Sequence, residues 1–169
     1  MKTNMNRKGI SNVVATIILI AVAIALAVAV AVWVFGLAGS ASKTATLQVQ
    51  AVGLTGVSTN SSTLTLLISN PSSGGIGING FTLGSLSCVF SSPVQVPAGT
   101  QGGQLTIALT ISGGAFTGVS NVVGSNGITA SGITASCSGS QTAAVGIQYS
   151  GYLTTVSGQT YPFTVTASS

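Results

Sequence analysis

Hydrophobic and polar positions follow two different rules along this chain. Between positions 10 and 37 almost every residue is apolar and none is charged. At ~1.5 Å per residue, a helix of that length spans roughly 42 Å, more than the ~30 Å of a bilayer's hydrocarbon core. Part of the segment, AVAIALAVAVAVW from Ala21, alternates with period two, but both alternating positions are apolar and no half-buried face is defined. The surroundings decide between strand and helix. In lipid a lone strand leaves its backbone groups unpaired at several kcal/mol each, whereas a helix pairs them internally. A helix is therefore expected from about Ser11 to Gly36, with Gly36 and Gly39, followed by Ser40 and Ser42, as stop signals. Alanines at 15, 21, 23, 25, 27, 29 and 31 leave every side open to close approach by neighbouring helices.

After a short Gly/Ser/Ala link over residues 38–44, the pattern becomes polar–apolar alternation. Leu47, Val49 and Ala51 alternate with Thr46, Gln48 and Gln50. Leu105, Ile107, Leu109 and Ile111 alternate with Thr106, Ala108 and Thr110, and Phe163, Val165 and Ala167 with Thr164 and Thr166. These are half-buried strands. Further strands are expected at 63–69, 80–90, 115–123, 127–136 and 144–152, separated by Asn-Pro, Gly-Gly, Asn-Gly and Ser-Gly turn signals. The expected fold class is α+β: one long N-terminal hydrophobic helix, then an all-β antiparallel sandwich of immunoglobulin-like type over residues 45–169.

Composition narrows the chemistry sharply. The 169 residues include no Asp, no Glu and no His, the residue types that general acid/base catalysis, most metal ligation and triad nucleophiles draw on. No enzymatic activity, metal or cofactor is expected. The net charge of +4 does not mark a nucleic-acid surface, because Lys2, Arg7 and Lys8 precede the apolar segment and Lys43 stands alone after it. Basic residues on that side keep it cytoplasmic, so the β domain is expected to face outward. Without carboxylates or imidazoles, the stability of that domain is expected to vary little between about pH 2 and pH 8.

Several smaller signals carry competing readings. Cys88 and Cys137 fall in expected strands of an outward-facing domain, where a disulfide closing about 50 residues is weighed against two separately buried thiols. Gly75-Ile76-Gly77-Ile78-Asn79-Gly80 spells GxGxxG, but no helix follows and no acid is available to hold a ribose, so the glycines are expected to serve turns. Gly-Ile-Thr-Ala-Ser occurs at 127–131 and again at 132–136, read as two similar strand edges. Ser and Thr make up 40 of the 126 residues from Thr44 onward, either as β-forming Thr with polar turns or as a glycosylated surface. Asn60-Ser61-Ser62 is the only N-glycosylation sequon, because Asn70 is followed by Pro71. Outside the helix the aromatic residues are Phe81, Phe90, Phe116, Tyr149, Tyr152, Tyr161 and Phe163, with no evident clustering into a pocket.

Three readings compete for the N-terminus. A secretory signal peptide fits the basic start and Gly39-Ser40-Ala41, but the apolar run is about twice the usual 7 to 15 residues. A permanent anchor is the second. The third rests on Arg7-Lys8-Gly9 directly before Ile10-Ser11-Asn12-Val13-Val14, which resembles the processing junction of archaeal type IV pilins. The resemblance covers roughly the first 40 residues and is shared with archaellins. It implies a leader over residues 1–9, removed by a membrane peptidase after Gly9, with Ile10 as the mature N-terminus. It also implies a helix over residues 10–37 that sits in the cytoplasmic membrane and is then lifted by assembly machinery into a filament of many copies. The filament core would then be lined by Ile10, Val13, Val14, Ile17, Ile18, Ile20, Ile24, Ala25, Val28, Val32, Trp33 and Phe35. The implied function is that of major pilin, a structural subunit of an extracellular pilus that meets surfaces, other cells, glycans or viruses through its outer β domain. Bacterial type IV pilins usually carry a glutamate at the fifth mature position, which here is Val14. Helix registration must then rest on apolar packing and on Ser11, Asn12 and Thr16. A membrane-anchored surface receptor or binding module is the rival of a different kind.

Overall fold

The computed structural model describes residues 5–42 and 46–169; the side chains of residues 5–9 and 38–42 lie outside that description. Two compact units divide at the link, Met1–Lys43 and Thr44–Ser169. The first is a single helix, α1 (Met5–Ser42). It begins ahead of Arg7 and Lys8 and continues through Gly36 and Gly39, so neither glycine acts as the expected stop. A Cβ at Gly36 would meet nothing, and glycine's cost of about 1 kcal/mol relative to alanine does not end a helix flanked by Leu37, Ala38 and Ala41. The expected linker is thus helical as far as Ser42; residues 43–45 fall outside the described residues.

The second unit holds ten strands: β1 (Gln48–Thr55), β2 (Ser61–Ser69), β3 (Ile76–Leu83), β4 (Leu86–Val96), β5 (Gly103–Ser112), β6 (Ala115–Ser125), β7 (Ala135–Ser138), β8 (Gln141–Thr142), β9 (Gln148–Thr155) and β10 (Thr160–Thr166). They form two five-stranded sheets, β1-β2-β5-β6-β8 and β10-β9-β3-β4-β7, with every ladder antiparallel. The order β1-β2-β5 facing β10-β9-β3-β4 follows the immunoglobulin A-B-E and G-F-C-C′ arrangement, with β6 to β8 inserted before β9. A parallel bridge between Leu54 and Ala167 joins the ends of β1 and β10.

Alternation places the core. Leu64, Leu66 and Ile68 of β2 and Leu105, Ile107 and Leu109 of β5 are fully buried, in direct register as Leu64↔Ile107 and Leu66↔Leu105. The intervening Thr63, Thr65 and Thr106 lie on the other face and are partly exposed. The second sheet answers with Ile78, Phe81, Leu83, Leu86, Phe90, Val94 and Leu153, the rings of Phe81 and Phe90 lying 5.9 Å apart.

Two bulges correct a plain period-two reading. Leu47, just before β1, and Val49 and Ala51 within it form an inward set that would leave Leu54 outside, but a register shift between Ala51 and Gly53 turns Leu54 into the core. In β3 the shift between Ile78 and Gly80 moves the buried set from Ile76 and Ile78 to Phe81 and Leu83. That crossing needs glycine, because a Cβ on Gly80 would run into the Cys88 carbonyl oxygen. Two of the expected strands are also redrawn. The segment 80–90 is a hairpin whose two-residue turn, Gly84-Ser85, separates paired Leu83 and Leu86. The segment 127–136 is mostly loop, with a bridge from Thr129 to Gln95 before β7 begins. The strand expected at 144–152 starts only at Gln148.

Polar side chains fix the connections. Asn70 is fully buried between the β2–β3 and β4–β5 loops. Its Nδ2 donates to the Gly74, Val96 and Pro97 carbonyls at 2.9, 3.1 and 3.2 Å, and its Oδ1 accepts from the Ser72 amide at 3.1 Å. Tyr149, near the start of β9, donates its hydroxyl to the Thr142 carbonyl at 2.7 Å and accepts from the Ala144 amide at 2.9 Å. This is the tyrosine-corner arrangement of immunoglobulin-type sandwiches, and the ring packs edge-on against Phe116 at 5.7 Å.

Asn70→Ala leaves several loop carbonyls without their donor, and is expected to lower the unfolding free energy by about 2–3 kcal/mol. Thr164→Ala, on an exposed position of β10, should change it by less than about 0.5 kcal/mol; denaturant unfolding measures both. No side-chain carboxylate or imidazole exists to bind protons differently in folded and unfolded states, so between about pH 2 and pH 8 the slope of stability against pH is set by the chain termini alone. Thermal unfolding followed by circular dichroism is expected to show a midpoint constant within about 3 °C from pH 8 to pH 2.

Candidate functional site

The feature with the most consequence is α1. Its stretch Ile10–Leu37 is 28 residues long with a mean hydropathy of 3.2, and by length and composition it is able to cross a membrane. Val13, Ile17, Ile20, Ile24 and Val28 fall on one face by helical spacing, while Ile18, Val22 and Leu26 turn toward others. The helix is apolar all round, a pattern that fits a protein core or a lipid interior and not a surface helix with one wet side. Every residue from 10 to 37, including Ala25, is exposed in the single chain. The seventeen large apolar residues include Ile10, Val14 and Val32 as well as Trp33 and Phe35 at 67% and 77% exposure. Removing those seventeen from water is worth about 25 kcal/mol, an upper figure at ~1.5 kcal/mol each. The polar residues Ser11, Asn12 and Thr16 gather in the early turns, where Thr16 Oγ1 donates to the Asn12 carbonyl at 2.8 Å and so satisfies its hydroxyl within the helix. Arg7, Lys8 and Gly9 lie on the same helix just before Ile10, with their side chains outside the described residues.

Among the described residues the β domain clusters no ionisable side chains. Among the described residues no three potential metal ligands cluster. An open depression of ≈ 450 Å³ beside Gly75, Ile76, Gly77, Pro93, Gln95, Val156 and Ser157 holds no ionisable side chain. Of the GxGxxG glycines, Gly77 and Gly80 sit inside β3 and serve no turn, whereas Gly75 lies in the β2–β3 connection. Phe81, Phe90, Phe116, Tyr149 and Phe163 are core residues and Tyr161 is partly buried, leaving Tyr152 as the one aromatic side chain of this domain open to solvent among the described residues.

Cys88 and Cys137 are bonded to each other, 49 residues apart in sequence and 4.0 Å apart at Cα. They stand opposite one another on β4 and β7, so this bridge lies within one sheet, unlike the inter-sheet bridge of antibody domains. It fastens the four-residue β7 to β4 along a ladder running from Ser87↔Ser138 to Phe90↔Ala135. The two Gly-Ile-Thr-Ala-Ser copies approach it along the β4 edge. Thr129 exchanges backbone hydrogen bonds with Gln95 at 3.0 and 3.1 Å, and the Thr134 carbonyl accepts from the Ser91 amide at 2.8 Å. Ile128 and Ile133, the second residue of each copy, are both buried. Asn60 is exposed in the β1–β2 connection.

A scan against protein-family models finds no match, and a search of curated proteins finds none. The signals that sequence reasoning missed are Asn70 and Tyr149, whose roles depend on partners brought from distant loops.

Replacing both cysteines by alanine is expected to cost about 4 kcal/mol of stability in the chain-entropy account of a loop this long. Hydrogen exchange should show the β7 amides losing protection before those of β2 and β5.

Proposed function

We propose that this chain is the structural subunit of an extracellular archaeal type IV-like pilus, polymerising through α1 and meeting its surroundings with the β domain. The observation that carries the reading is the continuous apolar circumference of α1, with seventeen large side chains exposed in the single chain. Such a helix needs lipid or copies of itself on every side. The Arg7-Lys8-Gly9 junction before Ile10 supports removal of residues 1–9 by a leader peptidase, with the basic end cytoplasmic and the β domain outside. Transfer of α1 from lipid to a helical core gains little, since acyl chains are equally apolar. Assembly therefore draws on an energy-driven machine, while a finished filament in water hardly dissociates.

The β domain supports the same division of labour, because its sheet edges discourage pairing with other chains. β10 carries Pro162, β7 has four residues, β8 has two, and β1 carries a register shift between Ala51 and Gly53. Growth is left to the helix. With no acid or imidazole and an open hydroxyl-rich surface, the domain acts in adhesion and shielding and has no catalytic duty. Asn60 is the acceptor for a glycan that hydrates this uncharged surface.

Ala25→Asp or Val28→Lys is expected to abolish filaments in sheared surface material viewed by electron microscopy, with the subunit accumulating in the membrane. Thr106→Asp and Thr164→Lys, on the outer faces of the sandwich, should leave filament numbers within about twofold. N-terminal sequencing of sheared fibres should begin at Ile10. A start at Met1 would instead establish an uncleaved anchor, and a start near Ser42 a secreted domain.

A further inference from the structure

The sequon Asn60-Ser61-Ser62 is divided by folding into an open and a closed part. Asn60 is exposed, whereas Ser62 has no exposed surface. The Ser62 hydroxyl donates to the Thr55 carbonyl at 2.7 Å, and Ser62 stands opposite Leu109 in the β2–β5 ladder. The neighbours are held as firmly. The Asn60 carbonyl accepts from the Ile111 amide at 3.1 Å, and Thr59 Oγ1 donates to the Gly56 carbonyl at 2.8 Å while accepting from the Ser61 amide at 3.3 Å. An Asn-x-Ser/Thr acceptor is read through the hydroxyl of its third residue together with the asparagine amide. In the finished domain that hydroxyl is out of reach, and the next inward residue of β2, Leu64, is itself fully buried.

We infer that Asn60 receives its oligosaccharide only before β2 docks against β5, so that glycan transfer precedes folding of the domain. The donor class is an oligosaccharide linked through phosphate to a membrane lipid. The Nδ2–C1 bond forms as the C1–O bond to the lipid phosphate breaks, the phosphate leaves with the electron pair, and the amide proton passes to a base of the transferase. Chain order opens the window for this step. β5 (Gly103–Ser112) follows the sequon, so a domain delivered across the membrane from its helix-proximal end presents Asn60 to a membrane enzyme before the strand that closes it is available. The glycan is then in place on the β1–β2 turn when Ser62 is sealed. This inference rests on the outward placement of the β domain proposed above, but its test reads modification alone and does not depend on filament formation.

The experiment uses the full chain carrying Ser138→Asn, which creates a comparison sequon ending at Ser140. Positions 138 and 140 are both exposed, the first as the last residue of β7 and the second beyond it. The chain is either synthesised in membranes containing an Asn-x-Ser/Thr oligosaccharyltransferase and its lipid-linked donor, or folded first with its disulfide formed and then given to the same enzyme in detergent. Glycopeptide mass spectrometry reads occupancy at both positions. The expected result is at least a tenfold fall at Asn60 when the enzyme is added after folding, with position 138 changing less than threefold. Equal occupancy of Asn60 in the two regimes overturns the inference, as does the absence of modification at Asn60 in both. An equal fall at both positions would show that Ser62 is not the gate.

Discussion

The absence of carboxylates constrains everything else about this chain. In most proteins, charge keeps sheet edges apart, selects partners and sets register, all at modest energetic cost. None of these devices is open to a molecule with no Asp or Glu and with three of its four basic residues ahead of the apolar segment. Their work passes to shape, hydrogen bonding and topology. Edge protection, often supplied by lysines, is supplied here by Pro162, by the bulge of β1 and by the brevity of β7 and β8. Loop fixation, often an ion pair, is supplied by the Asn70 carboxamide, which serves three carbonyls at once.

The same constraint explains why the two units differ so sharply. The β domain satisfies its buried polar groups internally: among the described residues no buried side-chain nitrogen or oxygen lacks a partner, so an uncharged sandwich carries no desolvation cost of that kind. The helix is the opposite case. Its backbone is satisfied and its hydroxyl at Thr16 is turned inward on Asn12, but its side chains have no partners within the helix, and a helix without a polar face cannot rest in water. One unit is complete in itself and the other is complete only in company.

What the sequence made legible follows physical locality. Strands β2, β5 and β10 were readable because each keeps one parity from end to end, with Thr on one face and Leu, Ile, Val or Phe on the other. The helix was readable because a long uncharged run admits few alternatives, although its ends were not, since glycine weakens a helix without ending it. β1 and β3 were read imperfectly because a bulge reverses parity midway, and what requires it lies elsewhere, in the partner strand. Segment 80–90 read as one strand because Gly84-Ser85 is a weaker turn signal than Asn-Gly, and the register that makes it a turn is set by the Leu83↔Leu86 pair. Asn70 and Tyr149 were silent for the same reason. Their hydrogen bonds join residues brought together only by the fold. On the helix, the sequence supplied the apolar character and the basic junction, and the structure added that no side of the helix is covered within the single chain.

Under the proposed reading, these properties combine into a fibre with few chemical weaknesses. Salt acts on stability mainly by screening charges, and here there is almost nothing to screen. Acid acts by protonating carboxylates or charging buried imidazoles, and neither group exists. Reducing agents reach a single disulfide that secures one short strand, while the core around Leu64, Leu66, Ile107 and Leu109 stays closed. The susceptibility that remains is to agents that compete for apolar contact, such as detergents and organic solvents, because they return to α1 the lipid-like surroundings from which it was drawn. The feature that lets the subunit wait in a membrane is therefore the one route by which the assembled fibre comes apart.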